Sequence, residues 1–225
     1  MMNRRTLLVA VMTAVALPAR SQTAPGAGEI AAYQGLHRAA HVGDVAEIRR
    51  LVEAGAEIDT RDARRRTPFH VACYARQIDA MRALVGAGAD PRALESQAYD
   101  CITIAAVADD LPTLKAAIAL GGNPREITSP YRGTALIAAA HLGHDSVVET
   151  LIEAGAPLDH INNLHWTALI EAVILGNGGP RHVETVRHLV AAGARRELAD
   201  RNGRTPLDHA RSRGYAPMVR LLEGG

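Results

Sequence analysis

The sequence predicts an all-α fold, a solenoid of about six helix-turn-helix units joined by short β-hairpin loops. A glycine recurs at a nearly constant spacing, and an apolar stripe of helical period precedes each copy. These glycines are Gly55, Gly88, Gly121, Gly155 and Gly193, which follow one another at steps of 33, 33, 34 and 38 residues. Because aromatic residues make up only 3% of the chain, we expect a core of small aliphatic side chains, which suits closely packed helices.

Residues 134–156 are the most regular copy of the unit. Three alanines at 138–140 give the first helix a narrow face, and Gly143 lies in the turn that follows it. The apolar stripe of the second helix runs over residues 147–152. Gly155 then stands where a helix C-terminus favours a residue that is free to adopt positive φ.

The first 21 residues have the composition of a signal peptide. Arg4 and Arg5 precede an apolar run over residues 7–17, and small residues precede an expected cleavage site after Ser21. The segment also resembles a twin-arginine export signal, with an ordinary secretory signal as the alternative. We therefore expect a periplasmic or secreted protein.

The rest of the chain divides into a spacer and a repeat domain. Residues 22–28 lack apolar periodicity and predict a flexible spacer, and the repeat domain is expected at 29–225. The expected units span residues 34–66, 67–99, 100–133, 134–166, 167–204 and 205–225.

The charge balance argues against two classes of partner. The chain carries 25 basic and 24 acidic residues, and removal of residues 1–21 takes away three arginines and no acid, so 22 basic residues face 24 acidic ones and the mature charge is −2. This balance does not favour nucleic acid or a membrane surface. The apolar run over residues 7–17 is too short for stable membrane insertion of the mature chain.

The starts of the units resemble one known family. Thr67, Pro68, Phe69 and His70, and the run at 200–207, match the Thr-Pro-Leu-His start and the preceding hairpin of ankyrin repeats. The resemblance covers about residues 30–225 and implies a non-catalytic scaffold that binds a protein partner. We expect it to act as a monomer.

Three irregularities mark the array. Arg76 and Asp109 occupy the glycine position of the inter-helix turn, so those turns are expected to be strained or differently shaped. Extra residues at 177–181 lengthen the turn of the fifth unit into an exposed loop. Arg211 replaces a small residue in the last unit, which predicts a C-terminal cap.

The histidines and cysteines raise alternatives. His37 and His41 share a helix spacing that metal sites use, so a periplasmic metal-binding or hydrolytic protein is the alternative function. The resemblance instead implies that His37 bonds backbone between units, and we expect no metal, cofactor or catalytic residue. Cys73 and Cys101 lie at different heights of adjacent units, so we expect two small buried side chains, with a disulfide as the less favoured alternative.

Two rows of variable positions predict the partner-binding surface. The residue before the helix-capping position is Tyr33, Arg66, Tyr99, Gly133, Trp166 and Arg204 in successive units. The resemblance implies that this row follows the hairpin edge of the concave surface and that the last residues of the first helices face the same groove. Tyr, Arg and Trp dominate interface hot spots. The candidate partner-binding residues are Arg66, Tyr74, Tyr99, His141, Leu142, Trp166, Ile174 and Arg204. A more specific hypothesis is that the scaffold inhibits or protects an exported enzyme or toxin.

Overall fold

The computed structural model describes residues 23–224, and the expected signal peptide lies outside them. Within that range the chain forms thirteen α-helices and no strand. The helices are α1 (Ala27–Ala32), α2 (Gly35–Val42), α3 (Val45–Glu53), α4 (Pro68–Tyr74), α5 (Ile78–Gly86), α6 (Cys101–Val107), α7 (Leu111–Ala119), α8 (Ala135–Leu142), α9 (Asp145–Glu153), α10 (Ala168–Ile174), α11 (Pro180–Ala191), α12 (Pro206–Ser212) and α13 (Ala216–Glu223). The first of these, α1, begins inside the range expected as a spacer.

The helices from α2 onward form consecutive pairs that stack in two layers. The first helices of the pairs contact one another in chain order from α2 to α12, and the second helices do so from α3 to α13. This arrangement confirms the predicted all-α solenoid. The expected hairpins are present as turns rather than as paired strands in the described part of the chain.

Small buried residues allow the first helices to approach one another. Alanine occupies the same position of all six units and is at most 2% exposed in each. These alanines are Ala39, Ala72, Ala105, Ala139, Ala172 and Ala210. The next position is buried in every unit but the last, where Arg211 is exposed and pairs with Glu223 at 2.7 Å.

Threonine or aspartate caps the first helices of the last five units. Thr67 accepts a hydrogen bond from the His70 backbone N–H, and Thr205 accepts one from Asp208. Asp100, which replaces threonine in the third unit, accepts the Thr103 N–H at 2.8 Å. The divergent third unit therefore keeps the cap by a different side chain.

The two non-glycine turn residues adopt the glycine conformation. Arg76 has φ 59° and Asp109 has φ 54°, close to φ 68° at Gly143. A left-handed conformation costs a residue with a Cβ about 1–2 kcal/mol. Asp109 is held there by Arg181, whose guanidinium donates to both of its carboxylate oxygens at 2.8 and 3.0 Å.

The insertion in the fifth unit is partly helical. Helix α11 begins at Pro180 and has 12 residues, against nine in α9. Arg181 also bonds Asp145 at 2.7 Å, so one side chain of the insertion contacts the third and fourth units. The Tyr215 hydroxyl donates to the Gly176 carbonyl at 3.1 Å. Side chains therefore anchor the insertion on both sides.

Cys73 and Cys101 form a disulfide, so the expectation of two unbridged thiols was wrong. Their Cα atoms lie 5.9 Å apart, within the range that a disulfide spans. Cys73 stands in the row of small residues along which α4 and α6 approach, and Cys101 is the first residue of α6. The end of α4 therefore lies close enough to the start of α6 for the two cysteines to be bridged, although they occupy different positions in the repeat.

Reduction of this disulfide should destabilise the protein. The bridged residues are 28 positions apart, and a loop of this size predicts a loss of about 3–4 kcal/mol in the free energy of unfolding. Urea unfolding with and without dithiothreitol measures it. The control is the double variant Cys73→Ala with Cys101→Ala, in which the reductant should change nothing.

Candidate functional site

Five hairpin turns, here called fingers, connect consecutive units. They span residues 61–66, 94–99, 127–133, 161–166 and 199–204. In each finger, a polar side chain near the start accepts backbone N–H groups of the turn; for Asp62 these are Arg64 N–H at 2.8 Å and Arg66 N–H at 2.9 Å. The acceptors of the five fingers are Asp62, Glu95, Ser129, Asn162 and Asp200. Each finger is thus a locally closed turn.

Hydrogen bonds join the first finger to the second, the third to the fourth and the fourth to the fifth. Ser96 N–H donates to the Arg64 carbonyl and Asn163 N–H donates to the Tyr131 carbonyl, both at 2.9 Å. Arg201 of the last finger donates to the Asn163 carbonyl at 2.6 Å. These bonds hold neighbouring fingers in register.

Arg66 is not available to a partner, contrary to the sequence-based prediction. Its side chain is 1% exposed, because Nε bonds Asp62 at 2.7 Å and Nη2 bonds Glu29 of α1 at 2.6 Å. Tyr33 donates its hydroxyl to the same Asp62 at 3.2 Å. Burial by itself would raise the pKa of Asp62, but the N–H and guanidinium groups of Arg66 hold that pKa below its ordinary value. This cluster joins α1 to the first finger, a structural role that the sequence reasoning missed.

Tyr99 is the second correction. Its ring belongs to the buried core and the residue is only 6% exposed. The backbone N–H of Tyr99 donates to Glu95 Oε1 at 3.2 Å. Tyr99 therefore packs beneath the second finger and offers no surface to a partner.

The other two residues of the first row that were predicted to bind the partner remain accessible. Trp166 is partly exposed, and its backbone N–H donates to Asn162 Oδ1 at 3.0 Å. Arg204 is exposed and donates to Ser212 Oγ at 2.8 Å. Both lie on fingers of the C-terminal half.

The second row, here called the groove row, comprises two consecutive residues at the C-terminal end of each first helix; in α4, α6, α10 and α12 the second of the two is the C-cap residue. All twelve residues are at least partly exposed. They are His41, Val42, Tyr74, Ala75, Val107, Ala108, His141, Leu142, Ile174, Leu175, Ser212 and Arg213. Val42 is 58% and Leu142 41% exposed. The groove row thus brings four of the predicted residues, Tyr74, His141, Leu142 and Ile174, onto the ends of successive first helices.

A second apolar feature was missed by the sequence reasoning. Leu94, Ile127 and Ile161 occupy the same position of three consecutive fingers, and Leu164 lies at the tip of the fourth finger. Each is 38–42% exposed, although it lies in an otherwise polar turn. Leu94 and Ile127 line one surface depression of about 310 Å³. Leu94, Ile127 and Ile161 have the same spacing as Gly88, Gly121 and Gly155, so an alignment of the repeats would have revealed this row of apolar residues.

Glu171 and His70 are two buried titratable groups of the first helices. Glu171 lies between Asn162, whose Nδ2 donates to it at 2.7 Å, and His141, whose Nδ1 is 3.4 Å away. Burial lowers the pKa of His70 to about 4. His70 is therefore neutral at ordinary pH and serves the cap of α4, with Nδ1 2.9 Å from the Thr67 hydroxyl.

Several histidines contact backbone carbonyl groups of other elements. His37 Nε2 lies 2.9 Å from the Arg66 carbonyl, which confirms the bond implied by the repeat pattern. His144 Nδ1 lies 2.9 Å from the Ala106 carbonyl. Between residues 23 and 224 there is no group of three His, Cys, Asp or Glu side chains placed to hold a metal ion. In the same range no helix combines the length and apolarity needed to cross a membrane.

Known proteins share this architecture. A family profile described as ankyrin repeats (3 copies) matches residues 102–194, and one described as ankyrin repeats (many copies) matches residues 36–85. The crystal structure of an ankyrin repeat domain from Acinetobacter baumannii AYE matches with 41% sequence identity and a TM-score of 0.78. The match covers 84% of this chain and 95% of that domain. The ankyrin repeat protein EF0377 is 28% identical, with coverages of 85% and 98% and a TM-score of 0.77. No curated protein matches the chain.

The stacked helix pairs and closed fingers define a repeat solenoid. The chain belongs to the ankyrin-repeat family, whose members generally mediate protein–protein interaction and are typically non-catalytic.

One prediction concerns the finger tips. Ala98 has φ 62° at a position where the last finger has Gly203 at φ 72°. Relief of the left-handed strain should make Ala98→Gly more stable by about 1 kcal/mol. Ala83→Gly inside α5 is the matched control and should lower stability by about the same amount. Urea unfolding of both variants measures the difference, and a loss of stability in Ala98→Gly would contradict it.

The stability of the fold should depend on pH through His70. The pKa of His70 is depressed from 6.5 to about 4 in the folded state, so its contribution is full above pH 6.5 and is lost as the pH falls towards 4. The loss should reach about 3 kcal/mol at the acid end. His70→Asn should show a shallower decline of unfolding free energy over this interval. Thr67→Ala removes the cap but keeps His70, and it should retain the wild-type slope.

Proposed function

We propose that this chain is a non-catalytic scaffold that acts as a monomer after export and binds a protein partner across the groove row and the fingers. The continuous exposure of the groove row carries the proposal. Apolar residues such as Val107, Leu142 and Ile174 lie at its middle. The C-terminal end, Ser212 and Arg213, is polar, and the N-terminal end combines His41 with the exposed Val42. An apolar centre with polar residues towards the edge is typical of protein interfaces.

The rigidity of the surface supports this function. The fingers are closed by their own side chains and joined to their neighbours, so binding orders few groups and costs little conformational entropy. Solenoid repeats use such extended, preformed surfaces for recognition.

Two features support the export part of the proposal. The N-terminal 21 residues have the pattern of a signal peptide, and Arg4 and Arg5 suit both the twin-arginine and the ordinary secretory route. The Cys73–Cys101 disulfide uses both cysteines of the chain and suits an oxidising compartment such as the periplasm. Inhibition or protection of an exported enzyme or toxin is the specific form of the function that we favour.

The double variant Leu142→Ala with Trp166→Ala tests the binding surface. Both side chains are accessible, so the variant should remain folded by circular dichroism. The immobilised protein is used to capture its partner from a periplasmic extract, and the purified partner is then titrated. We expect the variant to weaken binding about thirtyfold, because apolar and aromatic anchors carry most interface energy.

Matched surface variants provide the control. Lys115→Ala with Glu149→Ala changes exposed residues on α7 and α9, in the other helix layer, and should leave the affinity unchanged. Equal capture by the Leu142 and Trp166 variant and by the wild type would show that the groove row does not bind the partner.

A further inference from the structure

We infer that the partner presents an acidic protein segment with interspersed aliphatic residues to the fingers. This inference rests on the proposed function and specifies the chemistry of its partner. It follows from the distribution of charge on the fingers, which differs from that of the whole chain.

The accessible charge of the fingers is entirely basic in the described structure. Six finger arginines are exposed, and they are Arg61, Arg64, Arg65, Arg132, Arg201 and Arg204. The three finger carboxylates are nearly inaccessible, with exposures of 12% for the Asp62 side chain, 6% for the Asp200 side chain and 5% for Glu95. Within the bounds of the fingers the accessible charge is therefore basic, whereas Asp90 and Glu126 line the depression beside Leu94 and Ile127, with Glu126 paired to Arg92.

Those carboxylates are also occupied by the fingers themselves. Asp200 accepts the N–H groups of Asn202 at 2.8 Å and Arg204 at 3.0 Å and pairs with His209 at 2.9 Å. Burial would raise the pKa of Asp200, but these donors hold it below its ordinary value. The Asp200 carboxylate therefore pairs with its own finger and with His209, and forms no salt bridge with an exposed finger arginine among the described residues.

The finger arginines differ from many on the second helices. Arg50 pairs with Glu47 at 2.7 Å and Arg187 with Glu184 at 3.0 Å, each within one helix. Among residues 23–224, only Arg64 of the six exposed finger arginines forms a salt bridge, at 3.0 Å to Glu29. Arg201, by contrast, donates only to a carbonyl, which positions the guanidinium and leaves its charge unneutralised.

The apolar component lies beside these charges. Arg61 donates to the Leu94 carbonyl at 2.8 Å, so a basic side chain of the first finger reaches the backbone of the exposed leucine on the second. Arg132 and Ile127 belong to the third finger, and Leu164 lies next to Asn163, to which Arg201 bonds. A segment that lies across the fingers would meet guanidinium groups and aliphatic side chains alternately.

A protein segment fits this pattern better than nucleic acid. Sequence-tolerant nucleic-acid grooves combine basic residues with successive aromatic platforms for base stacking. The fingers instead carry four exposed aliphatic residues, Leu94, Ile127, Ile161 and Leu164, whereas Tyr131 and Trp166 are only partly exposed. Aliphatic side chains pack against aliphatic partners, and bidentate arginines recognise carboxylates.

Labelled synthetic peptides of equal length test the inference with the folded, disulfide-containing protein. One alternates Glu with Leu, and the others replace Glu by Gln, Glu by Lys, or Leu by Ser. Fluorescence anisotropy should show the Glu/Leu peptide binding at least about tenfold more tightly than each of the others, with an affinity that falls as NaCl is raised. A single-stranded oligonucleotide and vesicles containing phosphatidylglycerol are titrated in parallel.

The double variant Arg132→Gln with Arg201→Gln should weaken the Glu/Leu peptide about tenfold. Arg50→Gln with Arg187→Gln removes the same charge from α3 and α11 and should have no effect. Equal binding of the Gln/Leu peptide, preference for the oligonucleotide or the vesicles, or no peptide binding would overturn the acidic-segment inference. The proposed function is judged separately, because it fails only if the captured partner still binds the Leu142→Ala, Trp166→Ala protein at wild-type strength.

Discussion

The close approach of neighbouring first helices is the constraint on which the rest of the structure depends. No unit has enough apolar surface to form a core alone, so each must bury its first helix against the next. Alanine at Ala72, Ala139 and their equivalents makes that approach possible, since a larger side chain would separate the layers. The fingers stay in register and Cys73 reaches Cys101 because of the same spacing.

The groove row and the fingers follow from this packing. Once the first helices are stacked, their ends form a row of residues that all stay at least partly exposed, although His141 and Tyr74 also contact neighbouring parts of the structure. Fold stability therefore leaves positions such as Leu142 unconstrained, while it fixes Ala139 and Ala140 one turn earlier. Because the residues that pack the fold differ from those on its surface, the surface can acquire a specific chemistry without changing the fold.

Much of the fold could be predicted from the sequence because it depends on local, repeated signals. Glycine spacing, capping threonines and apolar stripes located the helix pairs, and they sufficed to recognise the family. Accessibility was harder to predict, because it depends on contacts from elsewhere in the chain. Arg66 is buried by Glu29 of α1, a helix outside the repeat pattern, and Tyr99 enters a core whose shape no single unit determines. The disulfide was missed for a related reason, since the positions of Cys73 and Cys101 within their own units do not give the distance between the end of α4 and the start of α6.

The Arg181 contacts set this array apart from one in which each unit meets only its neighbours. Ankyrin arrays of that simpler kind lengthen readily, since a duplicated unit creates the same interface again. Here Arg181 bonds Asp109 and Asp145, which belong to the third and fourth units. A unit duplicated between the third and the fifth would carry Arg181 away from Asp109, so lengthening the array at that point would lose this bond.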